Sequence, residues 1–218
     1  MARPLSTDQK TIVAAAMNLL AENGLRGMSI RSVAGAVGLA PNAMYSYFVD
    51  REHLEAAVAA EVAGRLHAML LEACAEKTSE ESIRSLAKAY LRFAMEQHLI
   101  YEALVVTRPA SGEDAIVPER LWLFFVDQVR RITGDSKSQE AAVALWAFLH
   151  GIAALQSAQA FNEEKPVSSF EFGLSAWIEA AKVVRHGDPT SCPAGTARPK
   201  AAVRRQKAAL TRKALAVF

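Results

Sequence analysis

Residues 37 to 52 read VGLAPNAMYSYFVDRE, which places two phenols, a carboxamide and a guanidinium within a few residues of one another. Phenol O–H and guanidinium N–H groups donate hydrogen bonds, and a carboxamide both donates and accepts. Successive side chains on a helix turn by about 100°, so Tyr45, Tyr47 and Phe48 cannot share one face. Met44 and Phe48 are four residues apart and take the inner face, with Leu39 on the same side. Tyr45 and Tyr47 then project outward, where a phenol ring lies along the protein surface while its hydroxyl reaches a phosphate. Arg51, just beyond the predicted helix, adds a cation that can pair with the same backbone. The structural alternatives are packing of Tyr45 against the following helix and a local turn or cap role for Asn42.

Other chemistries lack their residues. There is no HExxH metal motif, no Gly-rich phosphate loop, no nucleophile elbow and no Cys–His pair with an orienting third group. The acid pairs Glu80–Glu81 and Glu163–Glu164 fall at predicted helix ends or loops and read as solvated charges. Cys74 and Cys192 lie far apart and make neither a disulfide framework nor a metal pair; Cys74 reads as a small core hydrophobe and Cys192 as a tail thiol. The expectation is therefore no enzyme, no metal and no cofactor.

The elements that must position these residues are helical. The chain has 218 residues, 51% hydrophobic but only 7% aromatic, a balance that suits a helix-rich protein. No apolar run approaches the roughly 18 residues of a membrane helix, so no membrane association is expected. The N-terminal MARPLSTDQK lacks a signal-peptide core, which points to the cytoplasm. Ser6 with Gln9 has capping-box spacing for a first helix ending at Gly24. Ser29 caps a second helix that stops at Gly38, Pro41 opens a third, and Asp50 caps a fourth of about 25 residues. Further helical patterns cover 80–106, 116–133, 136–162 and 168–186, separated by turn residues. Residues 187–218 carry seven cations against the single acid Asp188, about +6, which leaves residues 1–186 near −4. That tail reads as solvated and flexible, with a basic amphipathic helix as the alternative.

Ala34 followed by Gly38 is the core of a helix-turn-helix, because a small side chain admits a close crossing and Gly permits the sharp turn. With these residues in place, TIVAAAMNLLAENGLRGMSIRSVAGAVGLAPNAMYSYFVDREHLEAAV (11–58) resembles the DNA-binding domain of the tetracycline-repressor (TetR) family of transcription regulators. The match rests on Ala15, Leu19–Leu20, Gly24, Ile30–Arg31, Val33–Ala34, Gly38, Tyr45, Tyr47–Phe48 and Leu54. The resemblance implies a homodimer on a pseudo-palindromic operator in double-stranded DNA. It implies phosphate contacts at Tyr45, Tyr47 and Arg51 and base-edge readers at Arg31, Asn42 and Ala43, with Pro41 in the same DNA-facing segment. Ala40 departs from the usual Ser or Thr and removes a capping hydroxyl.

The later helices resemble one subgroup of the family's C-terminal domains, marked by a Trp then His–Gly pattern, here Trp146 and His150–Gly151. This implies an effector-binding bundle that also dimerises through its last two long helices. Tyr90, Phe93, Trp122, Phe125, Trp146 and His150 are the candidate pocket residues, for an unidentified hydrophobic or amphipathic small molecule. At helical spacing such aromatics more often serve as core than as pocket, and His150 more often as a buried, partnered imidazole. The expected architecture is all-α. It comprises a helix-turn-helix domain at 1–50, an effector and dimerisation bundle at 51–186 joined to it by a long helix, and the basic tail at 187–218. The expected function is a repressor released by a small molecule; an activator or a ligand-independent regulator of the same family is the alternative. A protein that coats nucleic acid through its tail is a further reading.

Overall fold

The structure is a computed structural model that describes residues 8–107, 116–160 and 165–186. All regular structure among them is helical. In chain order it runs α1 (Gln9–Gly27), α2 (Ile30–Ala36), a 3-10 helix (Pro41–Ser46), α3 (Arg51–Cys74), α4 (Ser79–Glu96), α5 (His98–Val106), α6 (Ile116–Thr133), α7 (Ser138–Ser157) and α8 (Lys165–His186). The expected tail helix, the 108–114 break and Cys192 lie outside the described residues. No described helix is long and apolar enough to cross a membrane.

The residues divide into two compact units, each drawn from two stretches of chain. One takes the described residues of Met1–Leu66 and Glu96–Pro118, the other those of His67–Met95 and Glu119–Phe218. These units do not follow the contiguous division at residue 50, because α5 packs on α1 and the first sixteen residues of α3 belong with them.

In the first unit α1 buries Ile12, Ala16, Met17 and Leu20 at helical spacing. Its N-cap is Asp8 rather than the expected Ser6: the Asp8 carboxylate accepts from the Thr11 N–H at 2.8 Å and from the Thr11 hydroxyl at 2.7 Å. Thr11 holds that carboxyl below the usual range. Gly24 interrupts the helix with φ +65°, and a Cβ there would lie 3.2 Å from Leu99 Cδ2 on α5. Glycine thus serves both the turn and the α1–α5 approach.

In the second unit the predicted 80–106 helix is two helices, broken at Gln97 (φ −125°, ψ 44°). Neither Gly nor Pro marks that break; α4 buries Tyr90, Leu91, Phe93 and Ala94 in this unit, whereas α5 belongs to the other. Thr78 and Glu81 cap the start of α4 reciprocally. Glu80 pairs with Lys182 of α8 at 2.7 Å and with Arg84 at 3.0 Å, so this acid pair is structural. Helix α7 stops at Ser157 instead of 162, since Gln159 takes φ +51° and the Ala160 N–H returns to the Leu155 carbonyl. That closure is the left-handed helix stop that glycine usually provides. Helix α8 starts at Lys165, three residues before the expected start. Gly173 lets α8 meet α7: a Cβ would lie 2.5 Å from the Phe148 ring. Cys74 is buried as expected, and burial raises its thiol pKa.

Candidate nucleic-acid interface

The interface is built on a capping box. Ser29 Oγ accepts from the Ser32 N–H at 3.1 Å, Ser32 Oγ accepts from the Ser29 N–H at 2.8 Å, and Ser32 Oγ also bonds the Gly27 carbonyl. This fixes the start of α2, and Arg31 stands exposed in its first turn. Val33 and Ala34 are fully buried on the opposite face. Gly38 turns the chain with φ +70°, and the Leu39 N–H donates back to the Ala34 carbonyl at 2.8 Å. These contacts are the small-residue crossing and sharp turn that the sequence calls for.

The segment after the turn is a 3-10 helix rather than an α-helix, with Pro41 in its first turn and no side-chain cap at Ala40. Three residues per turn bring side chains at i and i+3 into line. Asn42 and Tyr45 therefore share one row, and both are exposed, Tyr45 by 55%. Pro41 is exposed at the row's edge and Ala43 is half-buried. Met44 is fully buried, Tyr47 next in its row is half-buried, and Phe48 is buried just past the helix end. The inward and outward faces thus separate as the sequence predicts, although the helix type differs. Val49, 74% exposed, adds an apolar neighbour that no spacing in the sequence singles out.

Two polar groups hold this segment from outside. Gln9 Nε2 donates to the Tyr47 carbonyl at 2.7 Å, across 38 residues of sequence. Gln9 is the residue the sequence reading missed: its local spacing suggests capping, and nothing near it signals a reach to the recognition segment. Asp50 caps α3 by accepting from the His53 N–H at 2.9 Å, as expected. The His53 imidazole, 2.8 Å away, is the main cause that lowers the Asp50 carboxyl below its usual range. Arg51 extends from the same turn with its Nε 2.6 Å from Glu55. That pair is exposed and so contributes little to stability, which leaves the guanidinium exchangeable onto a phosphate.

In the second unit four of the six candidate pocket residues come together around Trp146. Its ring meets Tyr90 at 5.3 Å, Phe125 at 5.2 Å and Trp122 at 5.9 Å, each edge-on, and Trp122 stacks on Phe125 at 6.1 Å. Phe93 is buried one turn beyond Tyr90, and His150 stands half-buried one turn beyond Trp146. Burial lowers the His150 pKa. Among the described residues no group of three His, Cys, Asp or Glu side chains is placed to hold a metal ion.

Known proteins share the fold. Residues 12–58 match the model of bacterial regulatory proteins of the tetR family, and residues 83–177 match the tetracyclin repressor-like C-terminal domain. An uncharacterized HTH-type transcriptional regulator of Bacillus subtilis (strain 168), YobS, is 24% identical over 182 residues, which covers 82% of this chain and 94% of that protein. A possible TetR family transcriptional regulator from Streptomyces coelicolor A3(2) superposes with a TM-score of 0.64 at 20% identity, covering 82% of this chain and all of that one. A TetR variant from Acinetobacter baumannii AYE in complex with minocycline superposes with a TM-score of 0.62 at 21% identity, covering 83% of this chain and 99% of the other. With both of its domains matched by models of one family, and with a helix-turn-helix whose aromatic segment divides cleanly into core and surface, the chain belongs to the TetR family of DNA-binding transcriptional regulators.

Proposed function

We propose that this regulator is a homodimeric repressor, cytoplasmic, that leaves a pseudo-palindromic operator when a small molecule binds its C-terminal bundle. The observation that carries the DNA-facing assignment is the exposed row of Asn42 and Tyr45 on a segment anchored by buried Met44 and Phe48. In this reading Tyr45, Tyr47 and Arg51 bind phosphates, Arg31 and Asn42 read guanine and adenine edges, and Ala43 touches a thymine methyl. Residues 1–50 then act as the DNA-binding domain, 51–186 as the sensing and dimerising domain of the Trp/His–Gly subgroup, and 187–218 as a basic tail.

Dimerisation is supported by α8, which leaves Phe172 79% exposed and Val183 71% exposed, eleven residues apart and so on one side of the helix. A second copy would cover these two side chains through an isologous contact. The sensing role is supported by the aromatic cluster around Trp146. A ligand that prefers one arrangement of the bundle shifts the dimer away from the spacing that fits successive major grooves.

A gel shift on the DNA flanking its own gene tests the reading. The wild-type protein should retard that DNA, and Tyr45→Ala with Arg51→Ala should weaken binding by about 100-fold, two phosphate contacts being lost. Unchanged binding by the double variant would sink the site assignment.

A further inference from the structure

Among the described residues of the second unit, two buried side-chain polar atoms have no partner, whereas the fully buried hydroxyls are paired. Ser82 Oγ donates to Gln128 Oε1, Thr133 Oγ1 to the Val129 carbonyl and Ser138 Oγ to the Asp135 carbonyl. The indole N–H of Trp122 is buried and has no acceptor. It belongs to the aromatic cluster, where Trp122 stacks on Phe125 and meets Trp146 edge-on. The other such atom, Gln156 Oε1, lies ten residues beyond Trp146 on α7, about 15 Å along the axis, and so belongs elsewhere.

A buried donor without a partner costs free energy, and an acceptor that reaches it recovers that cost. The surroundings limit what can bring the acceptor. Tyr90 and Phe125 pack edge-on against Trp146, which itself meets Trp122 edge-on, so the environment of this donor is aromatic and apolar. Among the described residues no Asp, Glu, Lys or Arg is buried, and burial keeps His150 toward its neutral form. An ionic ligand would lose its hydration here without a countercharge.

We propose that the effector is a neutral, largely apolar molecule with a carbonyl-type hydrogen-bond acceptor that accepts from the Trp122 indole N–H. This rests on reading the aromatic cluster as the effector site, and it adds the chemical class and the orienting contact.

The probes are 9-fluorenone and fluorene, which share a planar tricyclic frame and differ in the carbonyl. Equilibrium dialysis against the full chain should show fluorenone bound about tenfold more tightly. In an amide and indole N–H correlation spectrum, fluorenone should move the Trp122 signal downfield and fluorene should not. Trp122→Phe keeps a ring and deletes the donor. It should abolish the fluorenone preference; because the smaller ring gives up packing on Phe125 and Trp146 and lowers the melting temperature, both probes are compared well below the variant's own melting temperature. Equal affinity of the two probes, a preference that survives in Trp122→Phe, or no binding of fluorenone would each overturn the proposal. Operator release is measured separately by gel shift. Selective fluorenone binding through Trp122 without release would uphold this contact and count against the sensing role.

Discussion

Tyr45 gives the sharpest residue-scale test, since its ring is exposed and its hydroxyl is the group assigned to phosphate. Tyr45→Phe should lower operator affinity about threefold to tenfold in a titrated gel shift, with the melting temperature unmoved. His150 and His67 carry a pH signature. Burial is the first cause that lowers both from 6.5, with Arg120 adding to it for His67. The unfolded chain therefore takes up their protons before the folded one does. Stability is full above the unfolded value and falls as pH drops through it toward the folded pKa. Melting curves from pH 7.5 to 5.0 should show this decline, and His150→Gln should flatten it.

At the scale of elements, the capping box and the glycine turn decide where α2 and the recognition segment begin. Ser29→Ala removes the acceptor for the Ser32 N–H and should destabilise the protein by about 1 kcal/mol in urea titration. Gln9→Ala acts differently, because its bond to the Tyr47 carbonyl is exposed and joins two elements. It should weaken operator binding severalfold with a shift of only about 1 °C in melting temperature, as a loosened recognition segment loses orientation rather than fold. An equal loss of stability and affinity would make Gln9 merely structural.

The whole molecule depends on close helix contacts and on an uncovered helix face. Gly173→Ala should cost about 1–3 kcal/mol, since its methyl would press into the Phe148 ring and α8 would have to move off α7. If α8 forms the proposed dimer contact, Phe172→Glu should give a monomer in light scattering and weaken operator binding steeply, because one half-site alone holds few phosphates.

By itself the sequence determined what local chemistry and periodicity control. Helical spacing located the apolar stripes of α1 and α3, Ser29 and Asp50 named the starts of α2 and α3, and Gly24 and Gly38 named the two sharp turns. The division of MYSYF into core and surface was equally legible, because burial of Met44 and Phe48 leaves Tyr45 and Asn42 no inward place. Only tertiary structure decided the rest. The break at Gln97 and the stop at Gln159 occur at residues with no intrinsic preference for them. Long-range packing also set the reach of Gln9 to Tyr47 and drew Tyr90, Trp122, Phe125 and Trp146 from three helices into one cluster. It left the Trp122 N–H buried without an acceptor, since which groups meet across 24 or more residues depends on the whole chain's packing rather than on any local pattern.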